Sequence, residues 1–173
     1  TSLAAVLDMV RDFRKADSTT PVLLMGYANP VMHMGYAAFA DAAASVGLDA
    51  LLTVDIPPEE VDGINAELQR VGMDNIFLVA PTTPNERIAR IAARASGFIY
   101  YVSLKGVTGA GHLDTADVVR RLDAIRSHSE LPIAVGFGIK DAASARAVAA
   151  VADGVVVGSA LVNAMAQAIE DGD

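Results

Sequence analysis

Leu3, Val6, Leu7, Val10 and Phe13 recur at three- and four-residue intervals, so the chain opens on an amphipathic helix that Thr1 or Ser2 can cap. A different pattern follows. Residues 21–27 are an almost unbroken apolar run, the signature of a strand buried on both faces. An Ala28-Asn29-Pro30 loop then leads to a helix carrying Tyr36, Phe39, Ala43 and Val46 and stopped by Gly47. The same alternation repeats along the chain. Residues 49–54 predict the second strand, and Pro57-Pro58 opens a helix with Val61, Ile64, Leu68 and Val71 on its inward stripe. Residues 75–80 predict the third strand, followed by a capping box at Thr83-Pro84-Asn85-Glu86 and a helix through Ile88, Ile91 and Ala95. The fourth strand, 98–102, runs into a glycine-rich loop, after which Thr115 can cap a helix bearing Val118, Val119, Leu122 and Ile125. Residues 132–136 and 154–157 predict strands five and six, separated by an alanine-rich helix capped by Asp141 and followed by a helix from Ala160.

A run of βα units with short loops builds a parallel sheet. Helices of similar apolar character after every strand favour a barrel over an open doubly wound sheet. The expected fold is therefore α/β, of the (β/α)8 TIM barrel kind. With about six parallel strands it is an incomplete barrel, and 1–173 is read as one (βα)-repeat domain, a partial TIM barrel. A complete barrel takes roughly 250 residues, and an open six-stranded sheet leaves two unpaired edges. The expectation is that further barrel segments precede Thr1.

Composition narrows the function. Hydrophobic residues make up 53% and aromatic residues 5%, and Ala, Val, Ile and Leu predominate, the balance of helices packed on a buried sheet. A net charge of −8 without any basic run gives nucleic acid or an anionic membrane nothing to bind. The absence of cysteine excludes disulfides, thiolate nucleophiles and zinc-thiolate sites. No stretch is long and apolar enough to be a membrane span and no signal peptide is visible, so a cytoplasmic protein is expected.

Candidate chemistry gathers at strand ends. Gly106, Gly109 and Gly111 follow the fourth strand, Phe137-Gly138 the fifth and Gly158-Ser159 the sixth. In a (β/α) barrel those ends converge, and phosphate often sits on the last loops against the N-terminus of an extra helix. Lys105 raises the alternative of a Schiff-base aldolase, though nothing apolar shields it. His33, His112 and His128 lack metal-ligand spacing. Asp55 stands at a strand end, where it can be an active-site acid or a routine cap before Pro57-Pro58.

Taken together, Leu24-Met25-Gly26-Tyr27-Ala28-Asn29-Pro30, Asp55-Ile56-Pro57-Pro58-Glu59-Glu60, Gly106-Val107-Thr108-Gly109-Ala110, Gly136-Phe137-Gly138-Ile139 and Gly158-Ser159-Ala160 resemble the tryptophan synthase alpha subunit family. The resemblance implies a (β/α)8 barrel and a lyase that cleaves indole-3-glycerol phosphate by a retro-aldol reaction. Its products are indole and glyceraldehyde 3-phosphate. It implies as partner a beta subunit that holds PLP, in an alpha-beta-beta-alpha complex, with no cofactor in this chain. By resemblance, Gly109, Gly138, Gly158 and Ser159 form the phosphate cradle, Tyr100 stands beside the substrate, Phe137 flanks the indole, and Thr108 belongs to a closing loop. Asn29 and Asp55 resemble positions at the beta-subunit interface or in the loop network. The family's two principal acid-base carboxylates are expected before Thr1 and its last barrel helix after Asp173, so no catalytic residue is assigned within the chain. The competing reading is an inactive fragment that at most binds phosphate or the beta subunit.

Overall fold

The computed structural model describes residues 1–103, 115–136, 138–139 and 141–172. The described residues alternate helix and strand as the apolar pattern requires, in two compact units. The first comprises 1–77 and 93–97, the second 78–92 and 98–173.

In the first unit, α1 (Leu3–Ala16) is capped by Ser2, whose Oγ accepts the Ala5 N–H at 3.2 Å. Leu7 and Val10 face inward, and the helix leads through Asp17 into β1 (Leu23–Gly26). The Asp17 carboxylate accepts the N–H groups of Thr19 and Thr20, each at 2.8 Å, and the Thr20 hydroxyl at 2.6 Å, which holds its pKa well below the usual carboxylate range. β1 pairs in parallel with β2 (Ala50–Thr53), Leu24 opposite Leu51, and β2 pairs in parallel with β3 (Asp74–Val79), Leu52 opposite Ile76. Between β1 and β2 lie α2 (Ala28–Met34) and α3 (Tyr36–Ser45), the latter burying Phe39, Ala40 and Ala43. Between β2 and β3, α4 (Asp62–Arg70) buries Ile64 and Leu68, each only 1% exposed. A fully buried aliphatic side chain is worth about 1.5–3 kcal/mol, so this pair is enough to anchor a short helix.

Three local expectations change. Residues 28–30, expected as a loop, open α2 instead. Pro30 is tolerated there because the first-turn N–H groups of a helix have no intrahelical partner to lose. The helix after Pro57-Pro58 begins only at Asp62, because residues 57–60 close as a turn, with Glu60 N–H on Pro57 O at 3.0 Å. Thr83 does not cap α5 (Asn85–Ala92) from within a capping box. Its Oγ1 accepts the Ala80 N–H at 3.0 Å, at the end of β3.

The second unit contains α5, β4 (Ile99–Val102), α6 (Thr115–Arg126), β5 (Ile133–Gly136), α7 (Ala142–Ala149), β6 (Gly154–Val156) and α8 (Ser159–Asp171). β4 pairs in parallel with β5 and β5 with β6. Asp141 caps α7 as expected: its carboxylate accepts the Ser144 N–H at 2.8 Å, and the Ser144 hydroxyl completes a capping box. Ile99, Tyr101, Ile133 and Val135, at most 1% exposed, form the apolar face of this sheet. α8 buries no residue and leaves Leu161, Val162, Met165 and Ile169 exposed along one side.

A polar bolt secures β3 in the first unit. Asn75, 4% exposed, donates from its side chain to Asn65 Oδ1 and pairs its backbone with Ser96, while Asn65 Nδ2 donates to Arg94 O at 3.1 Å. Gly97 ends this segment at φ +71°, and a Cβ there would sit 2.8 Å from Asp74 Oδ2. Removing the Asn65 partner strands a buried amide, so Asn65→Ala is expected to cost about 1–3 kcal/mol. Urea denaturation of the chain and its variant measures that loss.

Candidate functional site

Strand alternation in the second unit puts Tyr100, Ala134, Gly136, Gly154 and Val156 on the face opposite Tyr101 and Val135. Apart from Tyr100 and Val156 these are the smallest residues available, and at Gly136 the reason lies in one contact. A Cβ on Gly136 would fall 2.3 Å from the Tyr100 hydroxyl and 2.6 Å from its ring, so the tyrosine lies across the bare backbone of the neighbouring strand. Only glycine permits this approach. Half-burial pushes the Tyr100 phenol above its ordinary pKa, because desolvation penalises the phenolate. Tyr101, on the other face, is also raised, first by burial and then by the Asp117 carboxylate of α6. The pair therefore divides as alternation requires: Tyr101 serves the core, and Tyr100 lies across Gly136 at the end of β5.

Gly136 is opposite Val156, and two residues beyond each come Gly138 and Gly158, which thus emerge from the same end of adjoining strands. Gly138 adopts φ +73°, a left-handed conformation that side chains rarely enter, and it is exposed. Gly158 is the N-cap of α8 and Ser159 its first residue; a Cβ on Gly158 would meet nothing within 4 Å. The first N–H groups of α8 point out of the helix beside Ser159, with the positive end of the helix dipole. Tyr100, Gly138, Gly158 and Ser159 therefore occupy one strand-end region of one unit. Thr108, Gly109 and Phe137 lie outside the described residues, as do Lys105 and His112. Gly136 was not singled out as a site residue from sequence, although a glycine on an inward position of a strand is the signal that could have marked it.

The other two sequence candidates lie in the first unit. Asp55 Oδ1 accepts the Ala28 N–H at 2.8 Å, so it caps α2, the helix that carries Asn29, rather than the segment after Pro57-Pro58. Asn29 and Asp55 are both exposed. Beside them a cleft of about 170 Å³ runs among α1, β1 and α2, lined chiefly by Leu3, Val6, Leu24, Met25, Tyr27 and Val31. It contains none of the residues expected to touch substrate. Among the described residues no three His, Asp or Glu side chains cluster in a way that could hold a metal ion, and no helix is long and apolar enough to cross a membrane.

Parallel strands, each followed by a helix, define a (βα) repeat of the TIM-barrel class. Within that class the chain belongs to the tryptophan synthase alpha chain family, whose model matches residues 1–173. The chain is 56% identical over 168 residues to the tryptophan synthase alpha chain of Thiobacillus denitrificans, covering 97% of this chain and 62% of that relative. It is 59% identical over 160 residues to that of Chromobacterium violaceum, covering 92% and 61%. Among solved structures, tryptophan synthase subunit alpha from Legionella pneumophila superposes with a TM-score of 0.85 at 44% identity, covering 97% of this chain and 62% of that one. A chain of the tryptophan synthase a2b2 complex from Pyrococcus furiosus gives 0.86 at 34% identity, covering 96% and 67%. The chain thus spans about three fifths of the length of the curated relatives it matches.

The Tyr100–Gly136 contact makes two predictions. Gly136→Ala forces Tyr100 out of place, at an expected cost of about 1–3 kcal/mol, and adding Tyr100→Leu recovers part of it; urea denaturation of the unaltered chain and the two variants measures both effects. The raised phenol also sets a pH response. Its contribution is fully present below the ordinary tyrosine pKa of 10.0 and is lost as pH rises through the higher folded value. Denaturation midpoints should therefore fall above pH 10, and less steeply in Tyr100→Phe.

Proposed function

We propose that the chain supplies the substrate cradle of a tryptophan synthase alpha chain, the lyase that splits indole-3-glycerol phosphate into indole and glyceraldehyde 3-phosphate in tryptophan biosynthesis. The observation that carries this reading is the strand-end region of the second unit, where Tyr100 lies on Gly136 beside Gly138, Gly158 and the start of α8. Backbone N–H groups at a positive-φ glycine and at a helix N-terminus suit a phosphate dianion. Tyr100 offers a ring edge and a protonated hydroxyl to the organic part of the substrate. Gly109 and Thr108 complete the cradle and the closing loop in this reading, and Phe137 flanks the indole.

The reaction breaks the carbon–carbon bond between the indole ring and the glyceryl chain. The glyceryl hydroxyl gives up its proton as the aldehyde forms, and the ring carbon takes one up. That exchange needs an acid and a base, with a carboxylate to steady the indole N–H. We assign these carboxylates to parts of the relatives beyond the matched three fifths. Asp55 is engaged with the Ala28 N–H, which favours a loop or interface role for it and for Asn29. The partner in this reading is a PLP-bearing beta subunit in an alpha-beta-beta-alpha complex, with no cofactor in this chain and a cytoplasmic setting.

Indole release from indole-3-glycerol phosphate tests the proposal. The 173-residue chain alone is expected to release little or none, and mixing it with the part of the Thiobacillus denitrificans relative that lies outside the match is expected to restore release. Release by the chain alone at a comparable rate would place the acid-base pair within it. Failure to bind the substrate in either case would overturn the cradle.

A further inference from the structure

One polar arrangement occurs twice, once in each unit. In the first, Asp49 immediately precedes β2; its Oδ2 accepts the Val22 N–H at 2.7 Å, and its own N–H donates to Val22 O at 2.9 Å. Arg14, in the last turn of α1, reaches the same Oδ2 at 2.6 Å and donates to Gly47 O at 2.8 Å. In the second, Asp153 immediately precedes β6; its Oδ2 accepts the Ile133 N–H at 2.9 Å, and its own N–H donates to Ile133 O at 3.1 Å. Arg126, the last residue of α6, lies 3.5 Å from that Oδ2 and donates to Val151 O at 3.1 Å. In both copies the arginine takes the carbonyl two residues before the aspartate, and the aspartate closes a two-way bond with the start of the preceding strand. Each is a latch joining a helix end to two parallel strands.

The second latch bears on the site. Strand register is pinned where alternate side chains are buried, because a one-residue slip would turn them out. β5 has such pins in Ile133 and Val135, at 0% and 1% exposure. β6 has none: Gly154, Val155 and Val156 are all half-buried, and α8 after it buries no residue. Burial therefore selects the register of β6 only weakly, while the Asp153–Ile133 pair selects it uniquely.

We propose that Asp153, steadied by Arg126, is a positioning residue that sets the register of β6 on β5 and so places Gly158, Ser159 and the start of α8. The consequence for phosphate rests on the cradle described above; the consequence for register does not. The two are read separately on the full 173-residue chain, by residue-resolved amide exchange and by calorimetric titration with inorganic phosphate.

Asp153→Ala is expected to speed exchange in 133–136 and 154–156 by about tenfold while exchange in β1 and β2 stays unchanged, and to weaken phosphate binding by a similar factor. Asp153→Asn keeps an acceptor for the Ile133 N–H and should retain most of both properties; Arg126→Met should fall between, and these two serve if the alanine variant does not fold. Unchanged exchange in β6 for Asp153→Ala and Arg126→Met overturns the register. Faster exchange with undiminished phosphate affinity overturns the positioning role. If the unaltered chain binds no phosphate, the cradle reading falls, and the exchange result alone decides whether the latch sets the register.

Discussion

Parallel pairing is the constraint on which the rest depends. A strand that runs parallel to its predecessor can be reached only by a crossover, and the crossover helix must bury its apolar stripe on the sheet it has just left. In the second unit this commits one sheet face to Ile99, Tyr101, Ile133 and Val135. The opposite face is thereby released from packing against helices. It can carry Ala134, Gly136 and Gly154, and Tyr100, whose ring lies over Gly136. The candidate site is a by-product of which face the helices claim.

The two ends of the strands do different work. At their starts lie devices of stability: the aspartate latches before β2 and β6 and the Asn65–Asn75–Ser96 bolt at the start of β3. At their finishes lie the glycines, the exposed Asp55 and Asn29, and the start of α8. This separation is what lets a (βα) repeat vary its strand-end loops on a rigid frame. Bonds at the starts fix registers, and registers decide where the finishing loops emerge. Asp55 is the exception, a carboxylate at the finish of β2 spent on the first N–H of the earlier helix α2, and that engagement weighs against a role as a free acid.

Local geometry explains the placement of particular residues that the resemblance singles out. The resemblance suggested Tyr100 as a substrate-side tyrosine, and the structure gives a physical reason for its position in the glycine across from it. The resemblance grouped Asn29 with Asp55, and Asp55 bonds the N–H of Ala28, the residue before Asn29. The relatives extend beyond the match, which covers about three fifths of their length.

Periodicity alone determined the order of helices and strands, the parallel class and most of the core. Those follow from local rules: an apolar stripe at helical spacing, a short β-branched run, a glycine that ends a helix. Ser2 and Asp141 as caps were legible for the same reason. What only the tertiary structure decided involves residues far apart in the chain. Asp55 reads as the cap of its own segment but serves Ala28, and residues 28–30 read as a loop but form a helix because that distant carboxylate receives its first N–H. Gly136 reads as the end of a strand, but its lack of a side chain answers to Tyr100 on the neighbouring one. Asp49 reads as the first residue of a strand, and its pairing with Arg14, like that of Asp153 with Arg126, is invisible until the crossovers close. Propensity acts over a few residues, whereas hydrogen-bond partners and steric room are assigned only when the strands meet.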